Sequence, residues 1–160
     1  MRSVTLVLAL TLAAQVAPRT NTLAIGGDVP APIVITPAEF QSFPRTTVTL
    51  TDEQKRTRTF EGTLLANVLK RAGTQMGEKL RGQNMAAYIL CTAFDGYEVV
   101  FSLPEVDPNF ADNNIIIADT VDGKPLTPDE GPFRIITPRD KRGARAMRTV
   151  QKIDVVRLRK

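Results

Sequence analysis

The alternation of polar residues with apolar or β-branched ones predicts two β-hairpins in this chain. Residues 46–51 and 57–60 alternate in this way around a short polar segment, which is typical of a hairpin. The apolar run 85–94 is followed by an Asp-Gly pair, a strong two-residue turn signal, and by a returning strand over 97–103. Shorter apolar runs predict further strands at 33–35, 115–118, 133–137 and 150–158.

Strict alternation also predicts which side chains of each strand face the core. In the returning strand, Tyr97 falls on the same face as Phe101, and we interpret Tyr97 as a core aromatic. In the last strand, unbroken alternation would put Val150 and Ile153 on opposite faces.

Two helices are predicted, and both have recognisable ends. Thr36 followed by Pro37 and Glu39 has the form of a capping box, which opens a short helix. Apolar residues at helical spacing over 64–72 predict a longer helix, and Gly73 suits the position just after its end. Many short strands around one good helix predict a single α+β domain. We expect that helix to pack on one mixed or antiparallel sheet containing the strands at 85–94, 97–103, 133–137 and 150–158.

The N-terminal segment has the pattern of an export signal. A short basic start, 1–3, precedes an almost wholly apolar run over 4–14, and small residues follow. That run is well short of the roughly 20 residues that span a bilayer. We therefore expect a signal peptide over 1–17 and a periplasmic or secreted protein with no stable membrane span.

The position of signal cleavage stays open on sequence grounds. Ala17 is one candidate for the last residue of the signal, and Ala14 and Ala24 are the alternatives. Residues 18–32, which are rich in glycine and proline towards their end, are predicted to be a lead-in segment. The domain itself is then expected to cover residues 33–160.

The composition excludes several kinds of chemistry. The chain has no histidine and one cysteine, Cys91. Ser-His-Asp and Cys-His catalysis, histidine zinc sites and iron–sulfur clusters are therefore excluded, and we predict no metal site. Because Cys91 lies in an apolar strand, we interpret it as a buried small hydrophobe. A metal-ligating or redox thiol is the alternative, which makes Cys91 a weak catalytic candidate.

The charge is unevenly distributed along the chain. The net charge is +4, yet residues 139–160 contain nine of the 21 basic residues and two of the 17 acidic ones. Such a basic end attracts phosphates, acidic partners or anionic surfaces. No aromatic residue occurs between 134 and 160, so platforms for stacking nucleic-acid bases are lacking there. We expect a small anionic ligand as partner and no nucleic acid.

Two segments together resemble a known family. Residues 93–103 contain an Asp-Gly-Tyr turn between two apolar strands, and residues 115–138 contain an Asp-Gly turn followed by Gly-Pro-Phe-Arg. In order and spacing they resemble the C-terminal half of the molybdopterin-binding domain of the sulfite oxidase family, over roughly 59–156. The resemblance implies a truncated sulfite-oxidase-type α+β fold with few helices and a pocket for molybdopterin, an anionic pterin.

The resemblance also implies which residues hold the cofactor. The turn from Gly131 to Arg134 is similar to one whose arginine reaches cofactor oxygen atoms. The loop from Gly143 to Arg148 is similar to one that holds the pterin phosphate with backbone groups and a basic side chain. Asp95 lies near the position where family members contact the pterin. We expect the guanidinium groups of Arg134 and Arg148 on one side of the domain. The alternative for Arg134 is an ion pair with Asp129 or Glu130.

The chain also departs from the family pattern. Catalytic members bind molybdenum through a cysteine upstream of the Asp-Gly-Tyr turn, and Cys91 does not match that position. The family's histidine before the Gly-Pro turn is replaced by Asp129-Glu130. We therefore expect an exported oxidoreductase-like domain that binds a pterin or similar anion without the cysteine ligand. If it is active, a molybdopterin-dependent oxidoreductase with a periplasmic redox partner is implied. The alternative is a non-catalytic module that uses the same pocket for a partner protein or another anionic ligand.

Overall fold

The computed structural model describes residues 20–51 and 54–158, so the expected signal peptide over 1–17 lies outside the described residues. Within these ranges, no helix is long and apolar enough to cross a membrane. The helices are α1 Pro37–Phe40, α2 Leu65–Arg71 and α3 Leu103–Val106, with short 3-10 turns at Gly77–Lys79, Gly82–Ala86 and Gly143–Arg145. The strands are β1 Leu23–Gly27, β2 Ile33–Ile35, β3 Thr46–Thr51, β4 Thr57–Leu64, β5 Ala87–Ala93, β6 Glu98–Ser102, β7 Ile116–Val121, β8 Lys124–Pro125, β9 Arg134–Ile136 and β10 Val150–Arg157.

These strands form two sheets rather than one. The first sheet has the order β2-β1-β10-β5-β6, and the second has the order β3-β4-β7-β8 with β9 also paired to β7. β1 and β10 run parallel, and the other strand pairs run antiparallel. The expectation that 133–137 shares a sheet with the β5–β6 hairpin and β10 is therefore wrong. Apolar periodicity identifies a strand but not its partner, and here Ile116 pairs with Ile136.

The two predicted helices and both hairpins are present. Thr36 caps α1 through the expected capping box with Glu39. α2 is followed by Gly73, whose φ of +84° is a left-handed conformation that glycine adopts without steric cost. The β5–β6 hairpin also forms, but its second strand ends at Ser102, which caps the short helix α3.

The main core lies between the first sheet, α2 and one face of the second sheet. Leu65 and Leu69 of α2 are fully buried, and Phe40 packs edge-on against Phe133 with ring centroids 4.9 Å apart. A smaller apolar cluster lies on the other face of the second sheet around Phe60. Alternation along β7 supplies both clusters, because Ile117 faces the main core and Ile116 faces the smaller one.

The segment expected to be a lead-in contributes a central strand. β1 lies between β2 and β10, with Leu23 fully buried and Ile25 1% exposed. Ile25 pairs with Ile153 of β10. The two glycines at the end of β1 are typical of a linker, and for that reason the segment was predicted to be a lead-in. The apolar residues at alternate positions of β1 nevertheless enter the core.

The last strand does not alternate strictly. The register with β5 shifts between Val150 and Lys152, so one extra residue is accommodated there. Val150, Ile153 and Val155 consequently share the buried face. The expectation that Val150 and Ile153 lie on opposite faces is wrong, because a bulge changes the parity of every residue after it.

A candidate anion-binding cleft

Backbone hydrogen bonds bring three loops together at one end of the molecule. Phe94, at the turn after β5, donates its N–H to the carbonyl of Thr149 at 3.0 Å, and Thr149 donates to the carbonyl of Glu130 at 3.0 Å. Ile135 of β9 donates to the carbonyl of Met147 at 2.8 Å. The β5–β6 turn, the loop before β9 and the loop before β10 are therefore fixed to one another.

Thr149 is held in an unusual backbone conformation at this junction. Its φ is +49°, in the left-handed region that β-branched residues rarely occupy. Such a conformation costs about 1–3 kcal/mol and persists where surrounding interactions impose it. The two hydrogen bonds to Phe94 and Glu130 are those interactions.

An open cleft of about 450 Å³ lies among these loops. Asp95 of the β5–β6 turn and Arg148 of the loop before β10 both line it, so the structure brings these two predicted residues together. Asp129 and Tyr97 also line the cleft. The residues that line the cleft thus include one cation, two carboxylates and two aromatic residues, Phe94 and Tyr97.

Tyr97 is not a core aromatic, which corrects the interpretation from alternation. It is 49% exposed, because the chain at Tyr97 is still leaving the turn and β6 begins at the next residue. Its hydroxyl donates to the carbonyl of Ala144 at 2.9 Å, and Asp95 accepts from its backbone N–H at 3.0 Å. Tyr97 therefore ties the β5–β6 turn to the loop that carries Arg148.

The two predicted glycines do not line this cleft. Gly143 opens a 3-10 turn, and a Cβ built there would meet no atom within 4 Å, so packing does not require a glycine. A Cβ on Gly131 would lie 2.9 Å from Cβ of Leu126, so Gly131 is needed for close packing within its own loop. Gly131 lines a separate, smaller cleft beside Leu126.

Arg134 does not line the cleft either, and its guanidinium forms an ion pair with Glu130. Its guanidinium Nη1 donates to Oε1 of Glu130. Arg58 of β4 donates to both oxygens of the same carboxylate, at 2.9 and 2.8 Å. The guanidinium carbons of Arg58 and Arg134 lie 5.0 and 5.1 Å from the centre of the Phe60 ring. The alternative reading of Arg134, an ion pair with a neighbouring acid, is the arrangement in the structure.

We call Arg58, Arg134, Arg148 and Glu130 the arginine cluster. The hydrogen bonds from Arg58 hold the pKa of Glu130 below its usual value, against the opposing effect of burial, and the charges of Arg134 and Arg148 lower it further. Burial lowers the pKa of Arg134, and repulsion from the charges of Arg148 and Arg58 lowers it further. The charge of Glu130 and its hydrogen bond act in the opposite direction. Arginine remains protonated throughout. The charge of Arg148 thus acts on both Glu130 and Arg134.

A second ion-pair network fixes the loop that carries Arg148. Arg145 donates to both carboxylate oxygens of Asp140, at 2.9 and 2.7 Å, and to Glu105 of α3 at 2.8 Å. Its guanidinium carbon lies 4.8 Å from the centre of the Phe101 ring. The hydrogen bond with Asp140 raises the pKa of Arg145. Arg145 is therefore a structural anchor for the loop.

Cys91 is unsuited to binding a metal. It is fully buried in β5, between Val99 of β6 and Ile153 of β10, and burial raises the pKa of its thiol far above the usual value. A thiolate, the form that ligates metals, is therefore not available at neutral pH. Within 20–51 and 54–158, no three His, Cys, Asp or Glu side chains converge to hold a metal ion. The residues fit the phosphate and ring of a pterin, and they do not fit a protein thiolate on its metal.

The family of this chain follows from its match to a known domain. The oxidoreductase molybdopterin binding domain matches residues 10–160, and the chain belongs to that family. Among solved structures it is similar to the sulfane dehydrogenase SoxCD from Paracoccus pantotrophus, with a TM-score of 0.68 and 18% sequence identity. At this identity the likeness shows the fold, and the predicted sulfite-oxidase-type fold is confirmed. The match covers 89% of this chain and 40% of the SoxCD chain. No curated protein matches the chain.

Sequence reasoning missed Arg58, Phe60 and Thr149 in this region. Arg58 and Phe60 share a face of β4 because they are two residues apart, and that spacing was a signal for a guanidinium stacked on a ring. Glu130 was weighed as a partner of Arg134, but its second partner comes from a strand 72 residues away. The conformation of Thr149 has no sequence signal that we can identify.

Proposed function

We propose that this chain is an exported domain that binds molybdopterin, or a similar phosphate-bearing pterin, in the cleft between Asp95 and Arg148. The observation that carries the proposal is the position of Arg148 in that cleft. Arg148 makes no side-chain hydrogen bond or ion pair in the part of the chain that the structure describes. An exposed guanidinium of this kind is suited to binding a phosphate. Membership of the family supports the choice of ligand.

The other cleft residues complement the pterin ring. The carboxylates of Asp95 and Asp129 are acceptors for ring amino groups. The exposed ring of Tyr97 offers a flat apolar surface, while its hydroxyl is already used in the bond to Ala144. The negative phosphate of the pterin would thus meet the guanidinium of Arg148, and the amino groups of its ring would meet the two carboxylates.

We further propose that the cofactor is held without a protein thiolate on its metal. When bound, molybdopterin would supply redox chemistry through molybdenum. The buried Cys91 offers no ligand for that metal, and the chain spans 40% of the length of SoxCD, so catalysis by this chain alone is not proposed. The burial of Cys91 also favours a second candidate function, a non-catalytic module that binds another anionic ligand or a partner protein in this cleft. A periplasmic redox partner is proposed for the first candidate, the molybdopterin-binding oxidoreductase domain.

The test is the pterin content of protein purified from a host that makes the cofactor. We expect wild type to carry pterin, measured by fluorescence after oxidation and release, and R148A to lose most of it. R142A is the matched control, because Arg142 is an exposed arginine of the same basic segment and does not line the cleft. Absence of pterin from wild type, or equal pterin in R148A and R142A, would contradict the proposal.

Export is proposed on the pattern of the N-terminal segment. The buried position of Leu23 in β1 supports cleavage before that strand, since cleavage after Ala24 would remove two of its five residues. We expect mass spectrometry of the exported protein to give a new N-terminus after Ala14 or Ala17. A product that begins at Ile25, or one that is retained uncleaved in the cytoplasm, would contradict this.

A further inference from the structure

We infer that Glu130 is a tethered competitor for the anion, occupying two arginines that would otherwise take a phosphate together with Arg148. This inference deepens the proposed function and rests on it. It assigns Arg58 as a latent anion-binding residue and Glu130 as the residue that sets the affinity.

The carboxylate of Glu130 is fully engaged by the two arginines. Glu130 accepts two hydrogen bonds from Arg58, at 2.9 and 2.8 Å, and another from Arg134. Two-pronged binding of this kind is how a guanidinium also holds a phosphate. Glu130 therefore occupies the donors that a bound phosphate would use.

The charges around Glu130 are unequal in number. Arg58 and Arg134 both donate to its carboxylate, and the charge of Arg148 acts on both Glu130 and Arg134. Asp122 acts on Arg58 through its charge, but the Asp122 carboxylate accepts a bond from the backbone of Thr59. Asp95 and Asp129 line the cleft with Arg148 and offset part of its charge, whereas Glu130 is the carboxylate that Arg58 and Arg134 share. A dianionic phosphate would bring one more negative charge to these two arginines than Glu130 does.

One donor of the cluster is unused. Nε of Arg134 is buried and has no hydrogen-bond partner in the described part of the chain. A buried donor without a partner destabilises the folded state. Glu130 thus leaves part of the cluster unsatisfied.

The arginines differ in their access to solvent. The side chain of Arg58 is 39% exposed, and Arg148 is exposed and lines the cleft, whereas the side chain of Arg134 is 13% exposed. The proposal requires the Glu130 side chain, which is 10% exposed, to rotate away from both arginines. An anion entering from the cleft would meet Arg148, which lines it, before the arginines that Glu130 releases.

The experiment is a titration with inorganic phosphate at low salt, followed by calorimetry, for wild type, E130Q and D122N. We expect E130Q to bind phosphate about tenfold more tightly than wild type, which corresponds to about 1.4 kcal/mol. D122N removes a charge that also acts on Arg58, but Asp122 does not line the cleft and its carboxylate bonds to the backbone of Thr59. D122N should therefore change the affinity by less than about threefold, because it alters only the general attraction of the site for anions. Adding R58A to E130Q should abolish the gain.

Several results would overturn the inference. These are an affinity of E130Q equal to or below wild type, an equal gain in D122N, or a gain that survives R58A. If E130Q does not fold, E130D decides instead, because its shorter carboxylate keeps the charge but cannot reach both arginines. E130D is expected to bind phosphate more tightly than wild type, and equal or weaker binding would refute the competitor role. If the protein never carries pterin but E130Q binds phosphate more tightly than wild type does, the proposed function is rejected and this inference stands.

Discussion

Arg58 of β4 and Glu130 of the loop before β9 are joined by two parallel hydrogen bonds, of 2.9 and 2.8 Å, across 72 residues of sequence. The pair attaches the second sheet to a loop that borders the candidate cleft. Because Thr149 donates to the backbone carbonyl of Glu130, the same loop also holds the segment that follows Arg148. Stability and anion binding are therefore expected to be linked at this carboxylate.

Stability should depend on pH through Glu130. A carboxyl whose pKa is lowered by folding stabilises the folded state fully above its unfolded pKa, and this contribution is lost as the pH falls towards the folded value. The pKa of Glu130 is lowered, chiefly by its hydrogen bonds with Arg58, whereas the pKa of an unfolded glutamate is about 4.3. We expect the free energy of unfolding in urea to fall below about pH 4.3.

The control for this pH dependence is E130Q, in which the fall should be shallower but not absent. Asp107 and Asp140 also have lowered pKa values and are still present in E130Q. Arg58, Arg134 and Arg148 face Glu130 and keep their charge over this range. Identical pH profiles for E130Q and wild type would show that Glu130 is not coupled to folding.

Phe60 should be among the most sensitive residues of the smaller apolar cluster. It is 2% exposed and lies beneath the guanidinium groups of Arg58 and Arg134. F60A should lower the free energy of unfolding by about 3–5 kcal/mol, as loss of a buried phenylalanine generally does. Phe110, which is 48% exposed, provides the control, and a cost in F110A equal to that in F60A would contradict the assigned burial.

The two glycines at positions 62 and 143 should respond oppositely to alanine. A Cβ on Gly62 would lie 1.8 Å from the carbonyl oxygen of Ile117, at the point where the β4–β7 register shifts. G62A should therefore destabilise strongly or prevent folding, whereas G143A, which meets no neighbour, should leave the melting temperature close to that of wild type. A well-folded G62A would show that the bulge is placed incorrectly.

The Tyr97 hydroxyl should order the loop that carries Arg148. Y97F keeps the ring but removes the hydrogen bond to the carbonyl of Ala144, for a cost of about 1 kcal/mol or less at this exposed position. Hydrogen exchange over 143–149 should be faster in Y97F, with exchange of α2 unchanged. Equal exchange in both proteins would mean that Arg145, rather than Tyr97, holds the loop.

The sequence predicted local elements more reliably than their arrangement. The α1 capping box, α2 and both hairpins follow from periodicity and from residues close in sequence, such as Thr36 with Glu39. The bulge at the start of β10 and the pairing of β9 with β7 depend on contacts between distant segments. Those contacts leave no periodic signal, and the face of Val150 was predicted wrongly for that reason.

The candidate site was predicted in the same uneven way. Asp95 and Arg148 were identified from turns that resemble those of the family, and the structure places both at one cleft. Arg134 was expected to act with them, but the sequence could not reveal that Arg58 and Arg134 share Glu130 across two strands. Tyr97 was misplaced because alternation does not hold at the first residue after a turn.

The central claim is that the cleft holds the pterin while no protein thiolate binds its metal. The most direct measurement is the pterin and molybdenum content per chain of wild type and C91A, purified from a host that makes the cofactor. Because Cys91 is fully buried away from the cleft, we predict equal pterin and equal molybdenum in the two proteins. Folded C91A that keeps its pterin but loses its molybdenum would contradict the account, because Cys91 would then be the metal ligand.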